Sequence, residues 1–201
     1  MNTKLFLPYK GRVKLTSPYG HRKLNGVSDF HKGIDLVGLD SKEIIAPFEG
    51  KVTSSIIITD KDNLTWEWGN YVKIESGLFA VFLCHMKERF VKVGDYVKVG
   101  QPIGIEGDTG YTFGAHCHFE LRINKTTVDI TPFIGIKNEA GIYKNSYDFD
   151  TPSEWAKEAC AWAKTNGILK GDSDTENKFR YHDPITREEA LVFLHRLWSL
   201  L

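Results

Sequence analysis

Gly114 to Arg122 reads GAHCHFELR. It carries two imidazoles two residues apart, a cysteine between them and a carboxylate two residues further on. In a β-strand successive side chains alternate between faces. His116, His118 and Glu120 therefore share one face, roughly 7 Å apart along the chain, and Cys117 turns to the other. A core strand lined by His, His and Glu would leave several polar groups to satisfy in a dry interior. The stretch thus reads as a strand that carries chemistry, or as an exposed strand with no special role.

Working outward, Lys51 to Arg122 has the texture of short strands and turns. KVTSSIIIT, YVKIES, LFAVFLCHM, VKVGDYVKVGQPIGIEG and HCHFELRI are rich in Val, Ile and Phe, and Gly, Asp and Asn punctuate them. They predict a mainly β, antiparallel, sandwich-like domain with a central groove over residues 1–136. Residues 137–150 are polar, without a sustained period, and read as a linker. Two helices then form a small hairpin over residues 151–201. In the first, Thr151 is the expected N-cap, Pro152 the first helical residue and Glu154 the partner in a capping box. Trp155, Ala159 and Trp162 form its apolar stripe, and Asn166-Gly167 stops it. The second starts at Pro184, with Thr186 as N-cap and Ala190, Leu194, Leu197 and Leu201 on one face. A hairpin of this size is expected to pack on something else or to self-associate.

The chain of 201 residues holds 26 Lys+Arg and 26 Asp+Glu, so its formal net charge is zero. That balance argues against nucleic acid as a partner. The apolar run LFL at the start breaks at Pro8, too short for a secretory signal, and no stretch approaches the roughly 20 apolar residues of a membrane span. Synthesis in the cytoplasm without membrane insertion is the expectation. Three cysteines, Cys84, Cys117 and Cys160, with no CxxC pair, argue against a disulfide framework. They read as small buried residues, and strand alternation points Cys84 and Cys117 away from whatever the adjacent histidines face.

Of the seven histidines, His21, His182 and His195 read as structural. FHKGID places Asp35 four residues after His31, and Gly33 between them favours an extended or turning segment over a helix. A histidine with an aspartate suits zinc, and also iron or manganese. With one or both histidines of His116-Cys117-His118, the chain offers two or three imidazoles and a carboxylate. Three protein ligands with an open position make a catalytic zinc site. Glu120 would orient a ligand from behind. No H-E-x-x-H glutamate is present, so proton transfer falls to further histidines, and His85 ends a predicted strand.

Residues from about Thr16 to Arg122 resemble the lysostaphin-type zinc endopeptidases of bacterial cell walls. The likeness lies in SPYGHR, FHKGIDL, IIAPFEGKV, GNYVKIES, LCHM, VKVGDYVKVGQPIGIEGDTG and GAHCHFELR, in that order. It implies one Zn2+ per chain on His31, Asp35 and His118, with His85 and His116 acting on the water and the transition state. It also implies peptidoglycan as substrate. Leu83-Cys84, Ala115 and Cys117 depart from the family's usual residues, and the TDKDNLTWEWGN segment is longer than its usual connection. The tail, through WAKEACAWAKTNGILKG and FRYHDPITREEA, resembles a single S-layer homology repeat. It implies a secondary cell-wall polymer as partner for residues 151–201, pairing with other chains, or a purely structural hairpin that only packs on the enzyme. Together these imply a phage- or prophage-type lysin acting on the wall. The rival readings are an inactive scaffold or activator of the same fold, a biotinyl-like carrier, which would need a presented lysine, and a non-haem iron enzyme, whose spacing is H-x-D.

Overall fold

The computed structural model describes residues 4–24, 26–58, 60, 62, 66–147, 151–152, 156–169 and 187–199. Two compact units divide the chain, Met1–Ser146 and Tyr147–Leu201. The first opens with β1 (Arg12–Ser17), β2 (Gly20–Leu24), β3 (Val27–His31), β4 (Ile34–Gly38), β5 (Glu43–Ile45) and β6 (Gly50–Ile57). A single 3-10 turn (Trp66–Trp68) leads to β7 (Asn70–Ser76), β8 (Phe79–Cys84), β9 (Glu88–Arg89), β10 (Tyr96–Val97) and β11 (Pro102–Ile105). Next come β12 (Cys117–Ile123), β13 (Thr126–Val128), the short helix α1 (Thr131–Ile134) and β14 (Gly141–Lys144).

The strands form a nine-stranded sheet in the order β10-β6-β7-β8-β12-β4-β1-β14, with β13 beside β12. A three-stranded sheet β5-β11-β9 and a ribbon β2-β3 complete the unit. Neighbouring strands run antiparallel. The mainly β, antiparallel class read from the sequence is the observed one.

Alternation builds the core. Val13 and Leu15 of β1, Ile34 and Leu36 of β4, and Cys117, Phe119 and Leu121 of β12 are fully buried. Register brings them together: Leu36 pairs with Leu15 and Cys117, and Phe119 with Ile34 and Leu83. Burial of such side chains stabilises a fold by roughly 1.5–3 kcal/mol each, and packing density then fixes the strands' positions. The opposite face of β4, β12 and β8 carries Asp35, His118 and Glu120 instead. The core therefore holds the chemistry's register from behind.

Two expectations need correction here. The stretch 137–150 is not simply a linker, since β14 pairs with β1 from Arg12↔Lys144 to Leu15↔Gly141. Asn145 then donates to the carbonyls of Leu7 and Tyr9, both at 2.7 Å. β14 is an edge strand of only four residues, Gly-Ile-Tyr-Lys, set among polar neighbours, which is too short to show a period of its own. Cys84 is the second. It pairs with His118 across the β8–β12 ladder, and paired residues point to the same side. The strand ends at Cys84, and His85 adopts φ 65, which breaks the alternation on which the expectation rested. Cys84 packs with Tyr71 and Phe82 rather than in the main core, whereas Cys117 does face that core.

In the C-terminal unit, α2 (Lys157–Thr165) and α3 (Arg187–Trp198) supply the expected helices. α2 begins after Ala156 with no side-chain cap, later than a Thr151 cap would place it. Glu154, Trp155, Thr186 and Leu201 lie outside the described residues, as does most of the FRYHDPITREEA stretch. The stop is as read: Asn166 donates to the Trp162 carbonyl at 2.8 Å, and Gly167 takes φ 69. The expected stripe is not the covered face. Ala159 and Trp162 are exposed, as are Leu194 and Leu197, while Ala156, Cys160 and Ala163 are half-buried. Cys160 is thus not a fully buried core residue. Arg196 ties the unit together by donating to the Ile168 carbonyl at 2.9 Å.

Candidate metal centre

β3 ends at His31 and β4 starts at Ile34, so His31 and Asp35 flank a tight turn. Gly33 in that turn lies so close to β12 that a Cβ there would meet the Phe119 carbonyl oxygen at 2.6 Å and the His118 ring at 2.8 Å. Only glycine lets the turn approach the ring this closely. Register then sets Asp35 opposite His118. The result is a triangle of donors. His31 Nε2 lies 3.0 Å from His118 Nδ1, and Asp35 Oδ1 lies 3.1 Å from each of them.

The partners behind each ring fix which nitrogen faces the centre. His31 Nδ1 is 2.8 Å from the Pro18 carbonyl, an acceptor, so Nδ1 carries the proton and Nε2 presents its lone pair. His118 Nε2 is 3.5 Å from a Glu120 carboxylate oxygen, which leaves Nδ1 to the centre. Asp35 Oδ2 is 3.4 Å from Arg22 Nη1, leaving Oδ1 free to face the histidines. Three lone pairs within 3.1 Å of one another call for a cation between them. The edges are a few tenths of an ångström below the roughly 3.3 Å separating two ligands of a tetrahedral ion with bonds of about 2.0–2.1 Å. Two imidazoles and one carboxylate are a donor set that zinc accepts, so the residues fit a single zinc ion.

Two more histidines stand beside the triangle. His85 is 6% exposed, and its Nδ1 donates to the Thr109 carbonyl at 2.8 Å. His116 Nδ1 donates to the Gly114 carbonyl at 2.8 Å, and its Nε2 is 3.6 Å from Asp35 Oδ1. Their ring centroids are 4.6 Å apart. All five site residues read from the sequence meet in one place, with Glu120 behind them. His21 stands apart, edge-on to Phe30 at 5.0 Å. Arg22, and the carbonyls of Pro18, Thr109 and Gly114, were missed. Backbone acceptors leave no residue-type signal, although Arg22 closes the SPYGHR stretch.

Charge is distributed unevenly. Burial would raise the Asp35 carboxyl, but hydrogen bonds to His118 and His31 and their charges outweigh it, holding the group well below the usual carboxylate range. Burial would lower His118, yet its contacts with Asp35 and Glu120 raise it to about 9 in the metal-free protein. A proton there stands where a metal cation would. For His85, burial first and the neighbouring His116 charge second push the value down to about 4. His85 is therefore a neutral imidazole at ordinary pH.

The model of peptidase family M23 matches residues 29–130, which contain all five of these histidine and aspartate residues. The peptidoglycan DD-endopeptidase ShyC of Vibrio cholerae is 28% identical over 172 residues, covering 84% of this chain and 34% of its own length. Lysostaphin of Staphylococcus simulans is 30% identical over 127 residues, covering 58% of this chain and 24% of its own. The chain thus spans about a third or less of the length of these relatives. Among solved structures, a mutant catalytic domain of the prophage-encoded M23 protein EnpA from Enterococcus faecalis matches with TM-score 0.51 at 31% identity. That match covers 61% of this chain and 93% of that one.

Proposed function

This chain belongs to peptidase family M23, and we propose that it is a zinc-dependent peptidoglycan endopeptidase, cutting cross-links or stem peptides of the bacterial cell wall. One observation carries the reading: three metal-ligand atoms in a triangle of 3.0–3.1 Å edges, with two further imidazoles alongside. The peptidoglycan DD-endopeptidase ShyC, to which the chain is similar, points to the same substrate class.

In this proposal His31, Asp35 and His118 hold one zinc ion. When bound, zinc supplies a Lewis acid that polarises the scissile carbonyl and makes water more acidic. His85 and His116 handle the protons. Each has Nδ1–H tied to a backbone carbonyl, so each has Nε2 available. One takes the proton of the attacking water and passes it to the leaving amine, while the other, in its protonated form, hydrogen-bonds the developing oxyanion. Arg22 holds the outer oxygen of Asp35, and Glu120 stands behind His118. The C-terminal unit is assigned to a secondary wall polymer as a single S-layer-homology-like module, or to pairing between chains. In line with the prophage-encoded EnpA that it resembles, the protein would act as a phage-type lysin.

Metal analysis of protein purified without added metal, paired with a wall-hydrolysis assay, tests this. Stoichiometric zinc and chelator-sensitive release of wall peptides are expected. Zinc without hydrolysis would instead make the chain a scaffold, and absence of metal would remove both readings. Cosedimentation with intact walls, and with walls stripped of secondary polymer, separates polymer binding from its absence.

A further inference from the structure

Glu120 is 1% exposed, and a buried carboxylate must be matched by donors or charge. It divides its two oxygens. Oε2 lies 3.5 Å from His118 Nε2, the ring nitrogen turned away from the donor triangle. Oε1 accepts from Arg122 Nε at 2.5 Å and from Thr127 Oγ1 at 3.4 Å. Arg122 lies two residues beyond Glu120 on the same face of β12, and Thr127 is its register partner on β13. The guanidinium does not dangle in solvent. Its Cζ stands 4.4 Å from the centroid of Phe82 and 5.5 Å from that of Trp68.

Those two rings face each other edge-on, with centroids 5.0 Å apart. Trp68 belongs to the long TDKDNLTWEWGN connection, and its carbonyl accepts from the His85 amide at 2.9 Å. The connection thus touches both halves of the site: the backbone of one proton-handling histidine and the guanidinium behind one ligand histidine. Phe82 is itself the register partner of Glu120 across the β8–β12 ladder.

We propose that Glu120 and Arg122, clamped by Phe82 and Trp68, form a positioning pair that fixes the ring of His118 and sets the site's affinity for its metal. The inference rests on the reading that His118 is a metal ligand. Physically, the carboxylate 3.5 Å from Nε2 favours the proton on that nitrogen and so the tautomer with Nδ1 free. It also makes the ring a better electron donor. Arg122 holds Oε1 and so aims the carboxylate, and the Phe82 ring favours a flat cation against it over a solvated one. Neither residue touches substrate.

The test is zinc affinity of the full chain, measured by competition with a chromophoric chelator, with a circular dichroism check of folding. Glu120→Gln keeps the shape and removes the charge, and is expected to weaken zinc about 10- to 100-fold. Arg122→Met keeps apolar packing under the rings and is expected to weaken it by a smaller factor. The double variant is expected to be no weaker than Glu120→Gln alone, because both act through one carboxylate. Wild-type affinity in both single variants overturns the proposal while leaving the metal site intact. A wild-type protein that binds no zinc would instead overturn the functional reading on which it rests. If Glu120→Gln does not fold, Arg122→Met decides alone.

Discussion

The site contains two pairs of histidines, and contact with carboxylate sets them apart: both members of one pair lie 3.1 Å from Asp35, whereas His116 of the other approaches it only to 3.6 Å. His31 and His118 converge on the Asp35 carboxylate, and His118 has a second carboxylate, Glu120, behind it. His85 and His116 lean on backbone carbonyls of Thr109 and Gly114. The consequence is electrostatic. His118 is raised to about 9 and demands a positive charge, while His85 is pushed to about 4 and stays neutral. One strand of β12 and its approach therefore hold two imidazoles with separate tasks. An imidazole set between carboxylates recruits a cation; a buried one tied to a carbonyl keeps a lone pair available for a proton.

Substitutions that break one pair should spare the other. Asp35→Ala removes the anion shared by both ligand histidines, so stoichiometric zinc should disappear and hydrolysis with it; metal analysis checks this. His85→Ala should retain zinc yet lower kcat/KM about 100- to 10,000-fold, the usual loss of a proton-transfer group. If zinc is lost there too, the division between the pairs fails. Gly33→Ala presses a methyl onto the His118 ring and the Phe119 carbonyl, and should cost about 1–3 kcal/mol in a denaturant titration while loosening zinc.

The mildest effect is on pH. In metal-free protein the value of His118 lies above its ordinary 6.5, so the stability it lends is fully present below about pH 6.5 and is lost as pH rises through about 9. His85 works the other way: its buried neutral ring costs stability as pH falls below 6.5 toward about 4. Thermal midpoints in chelator should fall at both ends, and added zinc should flatten the alkaline side.

The sequence made the candidate residues legible because they are rare residue types at short spacing, His31 and Asp35 four apart and His116 and His118 two apart, while their division into proposed ligands and proton-handling groups came only from the family resemblance. What it left hidden was how they meet. Asp35 and His118 are 83 residues apart and are joined by strand register, which only the packed core specifies. Local alternation misplaced Cys84 because the left-handed turn at His85 carries no residue-type signal. Residues 137–150 concealed β14 because the strand is only four residues long and its neighbours are polar. The helical stops were readable from Asn166-Gly167, but the covered face was not. There Ala159 and Trp162 of the expected stripe are exposed, and Ala156, Cys160 and Ala163 are the half-buried residues.

Mass spectrometry of peptidoglycan digested by the wild-type protein beside His118→Ala shows whether this metal centre cuts wall peptides. Zinc-loaded wild type is expected to produce wall fragments with a newly freed peptide amine, and His118→Ala none. Uncut peptides with the zinc-loaded wild type, or the same fragments from His118→Ala, would contradict it.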